Sequence, residues 1–236
     1  MAKTIVFLKH IAIEGPGTLG AFFQRNGFTL DIRELHSGAH VPEDMGGFAA
    51  LVVLGGPMNV YEEKAFQFLR RENDLVVRAI KTETPFLGIC LGAQILAKAA
   101  SARVNKSPAP EIGFFDVVLT EEGKRDPLFQ KVDPTALKVF QWHEDMFDIP
   151  DNASWLGSSA LCPHQACRVG KKAYGFQFHI EVDRPMIVSW LKEYWKIDDV
   201  LGHKDARKIL EEYDAFRPQL DQVAEQIYRN FLSIIG

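Results

Sequence analysis

The segment PFLGICLGAQILAKAA, residues 85–100, decides the fold because it changes from strand to helix within one tight turn. Its first part, Pro85–Ile89, predicts a short buried strand, and Leu91–Ala100, rich in alanine and leucine, predicts the helix that follows. Glycines two residues before and two after Cys90 give the pattern G-x-nucleophile-x-G. Such glycines remove Cβ atoms where a strained turn brings backbone segments together. The segment therefore predicts a strand–turn–helix unit that lifts Cys90 above the carboxyl edge of a sheet.

Cys90 is the candidate nucleophile of this unit. At the N-terminus of the predicted helix, the partial positive charge of the helix dipole favours a thiolate. The alternative is a buried structural cysteine beside two incidental glycines. We favour the nucleophile because strand, turn and helix occur in the order that the pattern requires. The turn by itself leaves the substrate open.

The rest of the chain predicts an α/β protein around this unit. Short β-branched runs such as Thr4–Leu8 and Ala50–Leu54 alternate with amphipathic stretches such as Glu62–Lys81. This alternation predicts a parallel sheet with helices on both faces. After Ser101, strand candidates follow one another with few helices between, which suits a mixed sheet with antiparallel edge strands. The stretch SPAP, residues 107–110, is predicted to be a stiff loop.

The C-terminal part is predicted to be helical. Arg184–Trp195 predicts one helix, and from Lys204 onward apolar residues recur every three or four positions. Pro218 is predicted to divide this second stretch into two helices. We expect one main domain, residues 1–196, and a helical extension, residues 197–236. The extension is expected to pack its apolar stripe on the domain, and a dimer or partner contact is the alternative.

Composition narrows the class of protein. Apolar residues make up 47% of the 236-residue chain, enough for a sizeable core. The net charge of −4 gives no electrostatic reason to expect nucleic acid or an anionic membrane as partner. No apolar run approaches the ~18 residues of a membrane span, and the start of the chain is too quickly charged for a secretory signal. Three sparse cysteines argue against a disulfide scaffold, and they predict that the protein resides in a reducing compartment, the cytoplasm.

The segment YGFQFHIE, residues 174–181, supplies a candidate base. Alternation along an extended segment places His179 and Glu181 on the same side. Glu181 can then hold His179 through one ring nitrogen, which leaves the other free to take a proton from Cys90. A His-x-Glu pair alone more often means a surface ion pair. The assignment therefore depends on the nucleophile turn.

A second glycine-rich turn ends a predicted strand in LVVLGGP, residues 51–57. Glycines there allow backbone N–H groups to approach a ligand without interference from side chains. The N–H groups of Gly56 and of Leu91, just after the candidate nucleophile, are the predicted oxyanion donors. Standing alone, this segment would indicate an ordinary strand-ending turn.

Together these segments resemble a known family, the class I or triad-type glutamine amidotransferases. The resemblance is carried by GGP at 55–57, GICLGAQ at 88–94 and FQFHIE at 176–181, and it extends from about Thr4 to Trp190. Within the family, the chain is most similar to the amidotransferase part of GMP synthase and its stand-alone relatives. GPMNVY at 56–61 and QWHED at 141–145 resemble segments of the stand-alone group.

The resemblance implies a flavodoxin-like, doubly wound sheet with the active site at the strand ends. It also implies a γ-glutamyl thioester on Cys90, formed with loss of ammonia and then hydrolysed, without a cofactor. Gln94 matches a family residue that helps to hold the substrate glutamine, and residues 142–145 match a segment lining the same pocket. A structural hydrogen bond is the alternative role for His143. The expected substrate-binding residues are Gly55, Gln94, Trp142, His143 and Glu144.

Two positions depart from the family pattern. Ile180 replaces the proline of the usual His-Pro-Glu, and because proline only stiffens that turn, the triad geometry should survive with slightly more freedom. Trp142 and Glu144 stand where some relatives have smaller residues. This second departure leaves open whether the substrate is free glutamine or a γ-glutamyl conjugate.

The sequence shows no site that could activate an acceptor for the ammonia. It has no G-x-x-x-x-G-K-[ST] phosphate loop, and fewer than about 50 residues follow Trp190, too few for a second catalytic domain. We therefore expect a synthetase on another chain to receive the ammonia. A γ-glutamyl peptidase or hydrolase with the same triad is one alternative. A catalytically idle regulatory subunit is another, although the presence of all three triad residues counts against it. A homodimer remains open.

A metal site is the last arrangement to consider. Cys162, His164 and Cys167 lie within six residues, and such soft ligands can bind zinc. A fourth ligand at suitable spacing is absent, and Pro163 constrains the loop. We predict that the protein has no metal site.

Overall fold

The computed structural model describes residues 3–133, 135, 137–200 and 202–236. Its strands are β1 Thr4–Lys9, β2 Thr29–Glu34, β3 Ala50–Val53, β4 Phe86–Ile89, β5 Val104–Asp116, β6 Val118–Leu119, β7 Lys138–Phe147, β8 Ser154–Ser158, β9 Ala166–Val169 and β10 Ala173–Phe176. Its α-helices are α1 Gly17–Arg25, α2 Phe68–Lys81, α3 Leu91–Ala99, α4 Arg184–Trp195 and α5 Lys204–Ile235.

The main sheet has the order β2-β1-β3-β4-β10-β9-β8-β6. In this order, the neighbouring strands β2, β1, β3, β4 and β10 are parallel. The strands β9, β8 and β6 continue the sheet in antiparallel pairs. β5 and β7 form a separate antiparallel pair. The predicted α/β fold, a mostly parallel mixed sheet flanked by helices with a helical C-terminus, is confirmed.

Alternating side chains of the central strands feed two separate cores. Ile5 and Phe7 of β1 point into a core shared with α1, α4 and α5. Val6 and Leu8 point into a second core shared with α2 and α3. A strand buried on both faces must be apolar at every position, and β3, β4 and β10 are buried along their whole lengths.

The C-terminal helix differs from the prediction. α5 runs unbroken from Lys204 to Ile235 with Pro218 inside it, so the prediction that this proline separates two helices is wrong. A proline in a helix interior removes one hydrogen bond and crowds the preceding turn, at a cost of about 3 kcal/mol. Tyr213 and Leu220, on either side of Pro218, are both buried in the same core. Tertiary packing therefore keeps the helix continuous across the proline.

The packing of the C-terminal helix on the domain is as predicted, since its buried residues belong to the core shared with α1 and α4. The division into residues 1–196 and 197–236 stays a prediction. Met1, Ala2, Pro134, Ala136 and Leu201, which those ranges include, lie outside the described residues. None of the helices in the described part of the chain has the length and apolar character to cross a membrane.

The stretch at 107–110 also differs from the prediction, because it lies inside β5 and not in a loop. Its pairing with β7 is nevertheless interrupted: Lys106 pairs with Asp145 and Glu111 pairs with His143, with an irregularity between. Proline cannot donate to a strand ladder, so prolines within strands occur at bulges and edges. Pro108 and Pro110 thus indicate a bulge in a strand.

The register of the sheet brings three turns to one edge. Val53 of β3 lies opposite Gly88 of β4, and Ile89 lies opposite Phe176 of β10. The strands are parallel, so the residues that follow each of them leave the sheet at the same carboxyl edge. In open α/β sheets this edge is where ligands bind.

The turn after β4 requires glycine at both flanking positions. A Cβ atom on Gly92 would overlap the carbonyl oxygen of Val53, and one on Gly88 would overlap the backbone of Gly92. In both cases the obstacle is backbone and cannot rotate away.

We expect Gly92→Ala to lower the free energy of unfolding by roughly 1–3 kcal/mol, because the overlap forces β3 and α3 apart. Urea unfolding followed by circular dichroism measures this. Gly15→Ala is the matched control, since a Cβ there would meet nothing within 4 Å. Equal stability of the two variants would contradict the close packing of the turn.

Candidate active site

Cys90 lies on the turn between β4 and α3, as the sequence predicts. Its backbone has φ 53° and ψ −106°, a region that residues other than glycine rarely adopt. The turn is fixed on both sides: the Cys90 N–H donates to Phe176 O at 2.7 Å, and Cys90 O accepts from Ala93 N at 3.0 Å and Gln94 N at 3.1 Å. Strained backbone held by its surroundings is typical of functional sites.

His179 and Glu181 form a buried pair just beyond β10. His179 Nδ1 lies 2.7 Å from Glu181 Oε1, and both side chains are almost fully buried. The ring of Trp190 packs against the imidazole with its centroid 4.8 Å away. The backbone N–H of His179 also donates to the backbone oxygen of Phe140 at 2.8 Å. The ring is therefore held by a carboxylate, an indole and its own backbone.

The pKa of His179 is raised despite the burial of the ring. Burial alone disfavours the charged ring, but the charge of Glu181 and hydrogen bonds to Cys90 and Glu181 outweigh it. The pKa of His179 is consequently raised well above its ordinary value. Since Nδ1 is engaged by Glu181, the other ring nitrogen faces the thiol. The structure thus brings Cys90, His179 and Glu181 together in the order thiol, imidazole, carboxylate.

Ile180, which replaces the family proline, supplies a hydrogen bond that proline cannot make. Its N–H donates to Glu181 Oε2 at 3.0 Å, so both oxygens of that carboxylate are engaged. The flanking backbone is held from two helices. The Thr18 N–H donates to Glu181 O at 2.9 Å, and the Tyr228 hydroxyl donates to Ile180 O at 2.9 Å.

The glycine turn after β3 is fixed by a second buried histidine–glutamate pair. His10 Nδ1 donates to Gly55 O at 2.8 Å, and His10 Nε2 lies 3.0 Å from Glu72. Burial opposes a charge on His10, but Glu72 and the bond to Gly55 raise its pKa overall. Among the described residues, the N–H groups of Gly56 and Leu91 have no hydrogen-bond acceptor. Both are available to a ligand.

Cys90 and His179 open into a cavity of about 340 Å³. Of the predicted substrate-binding residues, Gln94, Trp142, His143 and Glu144 line it. Gly55 is not among the lining residues, and its carbonyl is turned to His10. The remaining lining residues are Glu14, Gly56, Pro57, Met58, Lys106, Ile112, Asp145, Trp190 and Tyr194.

The lining residues have distinct environments. Gln94 Nε2 donates to Gln177 Oε1 at 3.3 Å, and Gln177 Nε2 points at the Cys90 sulfur at 3.7 Å. Trp142 packs on Trp190 at 5.9 Å between ring centroids and forms an aromatic wall with it. Glu144 is exposed at the mouth, 3.4 Å from Lys106 Nζ.

His143 belongs to a buried hydrogen-bond network. Its ring nitrogens contact Asp145 O and Glu111 Oε2, each at 2.9 Å, so the structural role that the sequence left open is present. Glu111 also accepts from Ser159 and Gln165, each at 2.6 Å.

This network contains the one grouping of possible metal ligands found among the described residues. Ligand atoms of Glu111, His143 and Cys162 lie within 4.8 Å of one another. Since the oxygens of Glu111 are already occupied by hydrogen-bond donors, the arrangement fits a polar network better than a cation site. The candidate zinc ligands considered from the sequence were Cys162, His164 and Cys167. Of these, Cys167 is buried in the second core. The absence of a metal stays a prediction.

The structure adds residues that the sequence did not single out. Glu14 follows β1 and lines the cavity, and the Tyr194 hydroxyl of α4 donates to its carboxylate. Gln177, between β10 and His179, contacts the thiol. Glu14 precedes GPG at 15–17, a turn signal that could have directed attention to it. Tyr194 carries no such signal.

Comparisons with known proteins agree on one family. The family model described as glutamine amidotransferase class-I matches residues 21–185. The chain is 35% identical over 209 residues to the glutamine amidotransferase-like protein YfeJ of Salmonella typhimurium, with 87% of each chain covered. It resembles a crystal structure of a glutamine amidotransferase from Thermotoga maritima with a TM-score of 0.86 at 32% identity, covering 100% of this chain and 99% of that one.

A further relative is longer than this chain. The match to the glutamine-hydrolysing GMP synthase of Porphyromonas gingivalis has 30% identity over 159 residues. It covers 64% of this chain but only 29% of that enzyme, so most of the GMP synthase has no counterpart in the match.

The three cysteines should differ in reactivity. Cys90 borders the cavity beside His179, whereas burial raises the pKa of Cys162 and raises that of Cys167 to about 12. Because the thiolate is the reactive form, we expect iodoacetamide at neutral pH to label the folded protein once, at Cys90. Mass spectrometry of intact protein and peptides measures the label. Cys90→Ala should take up none, and comparable labelling of Cys162 or Cys167 would refute the assignment.

Proposed function

The chain belongs to the class I glutamine amidotransferase family, and from that premise we propose that it hydrolyses the side-chain amide of glutamine to glutamate and ammonia. The observation that carries the proposal is the buried arrangement of Cys90, His179 and Glu181, of which Cys90 and His179 line one cavity. A thiol, a base and an orienting carboxylate are the parts that nucleophilic amide hydrolysis needs.

In the proposed reaction His179 takes the proton of the Cys90 thiol, and the thiolate attacks the amide carbon. The C–N bond breaks as His179 returns the proton to the leaving nitrogen, so ammonia departs and a γ-glutamyl thioester remains. A water molecule, deprotonated by His179, then attacks the thioester. The C–S bond breaks, the thiolate of Cys90 takes the proton back from His179, and glutamate is released. Glu181 keeps the imidazole oriented and stabilises its charged form throughout.

Backbone N–H groups are proposed to stabilise the negative oxygen that forms on the attacked carbon. Gly56 and Leu91 flank Cys90 from two different turns, and their N–H groups are free of acceptors in the described chain. Preorganised donors of this kind typically contribute about 10²–10³-fold in rate each.

The remaining predicted residues are proposed to hold the substrate. Gln94, Trp142, His143 and Glu144 line the cavity, and their side chains offer an amide, an aromatic wall, a ring edge and a carboxylate. Gly55 contributes through its backbone only, because its carbonyl positions the peptide bond to Gly56.

The ammonia is proposed to pass to a synthetase on another chain in the cytoplasm. The amidotransferase-like relatives include a glutamine-hydrolysing GMP synthase, in which the matched region is 29% of the enzyme. A homodimer is compatible with this arrangement.

A γ-glutamyl peptidase or hydrolase is the second candidate. The cavity mouth between Trp142 and Glu144 offers space and contact for a leaving group larger than ammonia. The same Cys90 thioester would form, with an amine or amino acid departing. A catalytically idle subunit is the third candidate, and the intact triad argues against it.

The test is to incubate the protein with glutamine and with a panel of γ-glutamyl peptides and to measure glutamate release. We expect glutamine hydrolysis that falls by at least about 10³-fold in Cys90→Ala, because Cys90 is the only thiol among the described residues that line the cavity. Cys167→Ala, a buried cysteine away from the cavity, is the matched control and should keep the activity. Turnover of peptides but not glutamine would favour the peptidase, and Cys90-independent turnover would refute both.

A further inference from the structure

Glu14 is a buried carboxylate beside the triad that the mechanism above does not use. It is 7% exposed and borders the cavity that holds Cys90 and His179. Charged side chains are seldom buried to this extent unless they are paired or functional. Its position therefore calls for a physical reason.

The place of Glu14 is defined by the absence of a side chain on Gly55. A Cβ atom there would overlap Glu14 Oε2 and lie 3.2 Å from His179 Cε1. Both atoms therefore border the same small space, and any larger residue at position 55 would displace the carboxylate. Cε1 is the ring carbon between the two nitrogens and shares the positive charge of an imidazolium.

Glu14 is held in this position by α4. The Tyr194 hydroxyl donates to Glu14 Oε1, which leaves Oε2 directed toward Gly55. Tyr194 in turn packs on Trp142 with 5.9 Å between ring centroids. The Glu14 carboxylate is thus held by the hydroxyl of Tyr194, whose ring packs against the aromatic wall.

Charged groups surround this carboxylate on several sides. The charged groups that act on Glu14 are His179, Glu181 and His10, and the Tyr194 hydroxyl acts on it through a hydrogen bond. Burial is the largest influence, and the pKa of Glu14 is raised overall. The negative charge of Glu181 adds to the rise, while the positive charge of His179 and the Tyr194 bond oppose it. The same cavity is bordered by Lys106, His143, Glu144 and Asp145.

We propose that Glu14, held by Tyr194, is a positioning residue that stabilises the protonated His179 from the Cε1 edge of its ring. This proposal rests on the proposed role of His179 as proton carrier. Glu181 engages Nδ1 and Cys90 faces the other nitrogen, so Glu14 supplies a second negative charge at the edge left over. It neither gives nor receives a proton. The proton moves from Cys90 to His179 and then to the leaving nitrogen.

Glu14 stabilises one state of the site, the state in which His179 carries a proton on both ring nitrogens. The imidazolium exists from the moment the thiol loses its proton until the leaving nitrogen takes it. A nearby negative charge favours that state, and an opposite charge within about 4–6 Å commonly shifts a pKa by 1–3 units. A direct contact between Glu14 and an ammonium group of the substrate is the competing role.

The experiment follows the titration of His179 itself. Protein labelled with ¹³C at histidine Cε1 is titrated by NMR as wild type, Glu14→Gln and Glu193→Gln. Glu14→Gln removes the negative charge, so we expect the pKa of His179 to fall by about one unit. Glu193→Gln is the matched control: it makes the same charge change on the exposed side of α4, next to Tyr194, and should leave His179 unchanged.

Tyr194→Phe guards against a folding defect in Glu14→Gln. It keeps the carboxylate but releases it, and we expect a smaller shift of His179 in the same direction. In glutamine hydrolysis, the limb of the kcat/KM profile that reports the titration of His179 should move to lower pH by the same amount in Glu14→Gln. An unchanged His179 titration in both variants would overturn the proposal, and a raised KM without that shift would assign Glu14 to substrate binding. The NMR result stands even if glutamine is not hydrolysed.

Discussion

Everything at the site depends on how closely helix α3 approaches strand β3. Gly92 leaves no space between its α-carbon and the carbonyl oxygen of Val53, and this contact fixes where the helix begins. Cys90 then has to adopt a positive φ to connect β4 to α3. The backbone bonds to Phe176, Ala93 and Gln94 keep it in that conformation. The position of the thiol is therefore a consequence of backbone packing, and its own side chain contributes little to it.

The segment that carries the triad partners is held in a different way, by hydrogen bonds from elements distant in the chain. The backbone of residues 179–181 contacts Phe140, Thr18 and Tyr228, which belong to β7, α1 and α5. Ile180 adds a bond to the Glu181 carboxylate that a proline would lack. The C-terminal helix, predicted as an extension packed on the domain, thus also contacts the segment beside the nucleophile. This contact gives a physical reason for the helix to remain continuous through Pro218.

The sequence predicted the parts of the site that local geometry determines. The glycine spacing around Cys90 and the glycines after β3 each act over a few residues, and both lie at strand ends as predicted. His179 and Glu181 are paired as expected, although β10 ends at Phe176 and the pair lies beyond the strand. The sequence did not predict the contact between Glu14 and Tyr194, because these residues are 180 positions apart in the chain and no local pattern encodes their contact. Similarly, local propensity predicted a helix end at Pro218 and a loop at residues 107–110, and both predictions were wrong. Core packing decided the first. The second was decided by the pairing of β5 with β7 on both sides of residues 107–110.

Two of the buried histidine–glutamate pairs, His179–Glu181 and His10–Glu72, have complementary effects on the same reaction centre. Removing charges from water costs several kcal/mol per ion, roughly, so neither pair is explained by stability alone. His10, paired with Glu72, binds Gly55 O. In a trans peptide the carbonyl and the following N–H point in opposite directions. Anchoring the Gly55 carbonyl on the buried side therefore directs the Gly56 N–H away from it, without a ligand to induce this orientation. The pair at His179 prepares the proton carrier, and the pair at His10 prepares the proposed oxyanion donor.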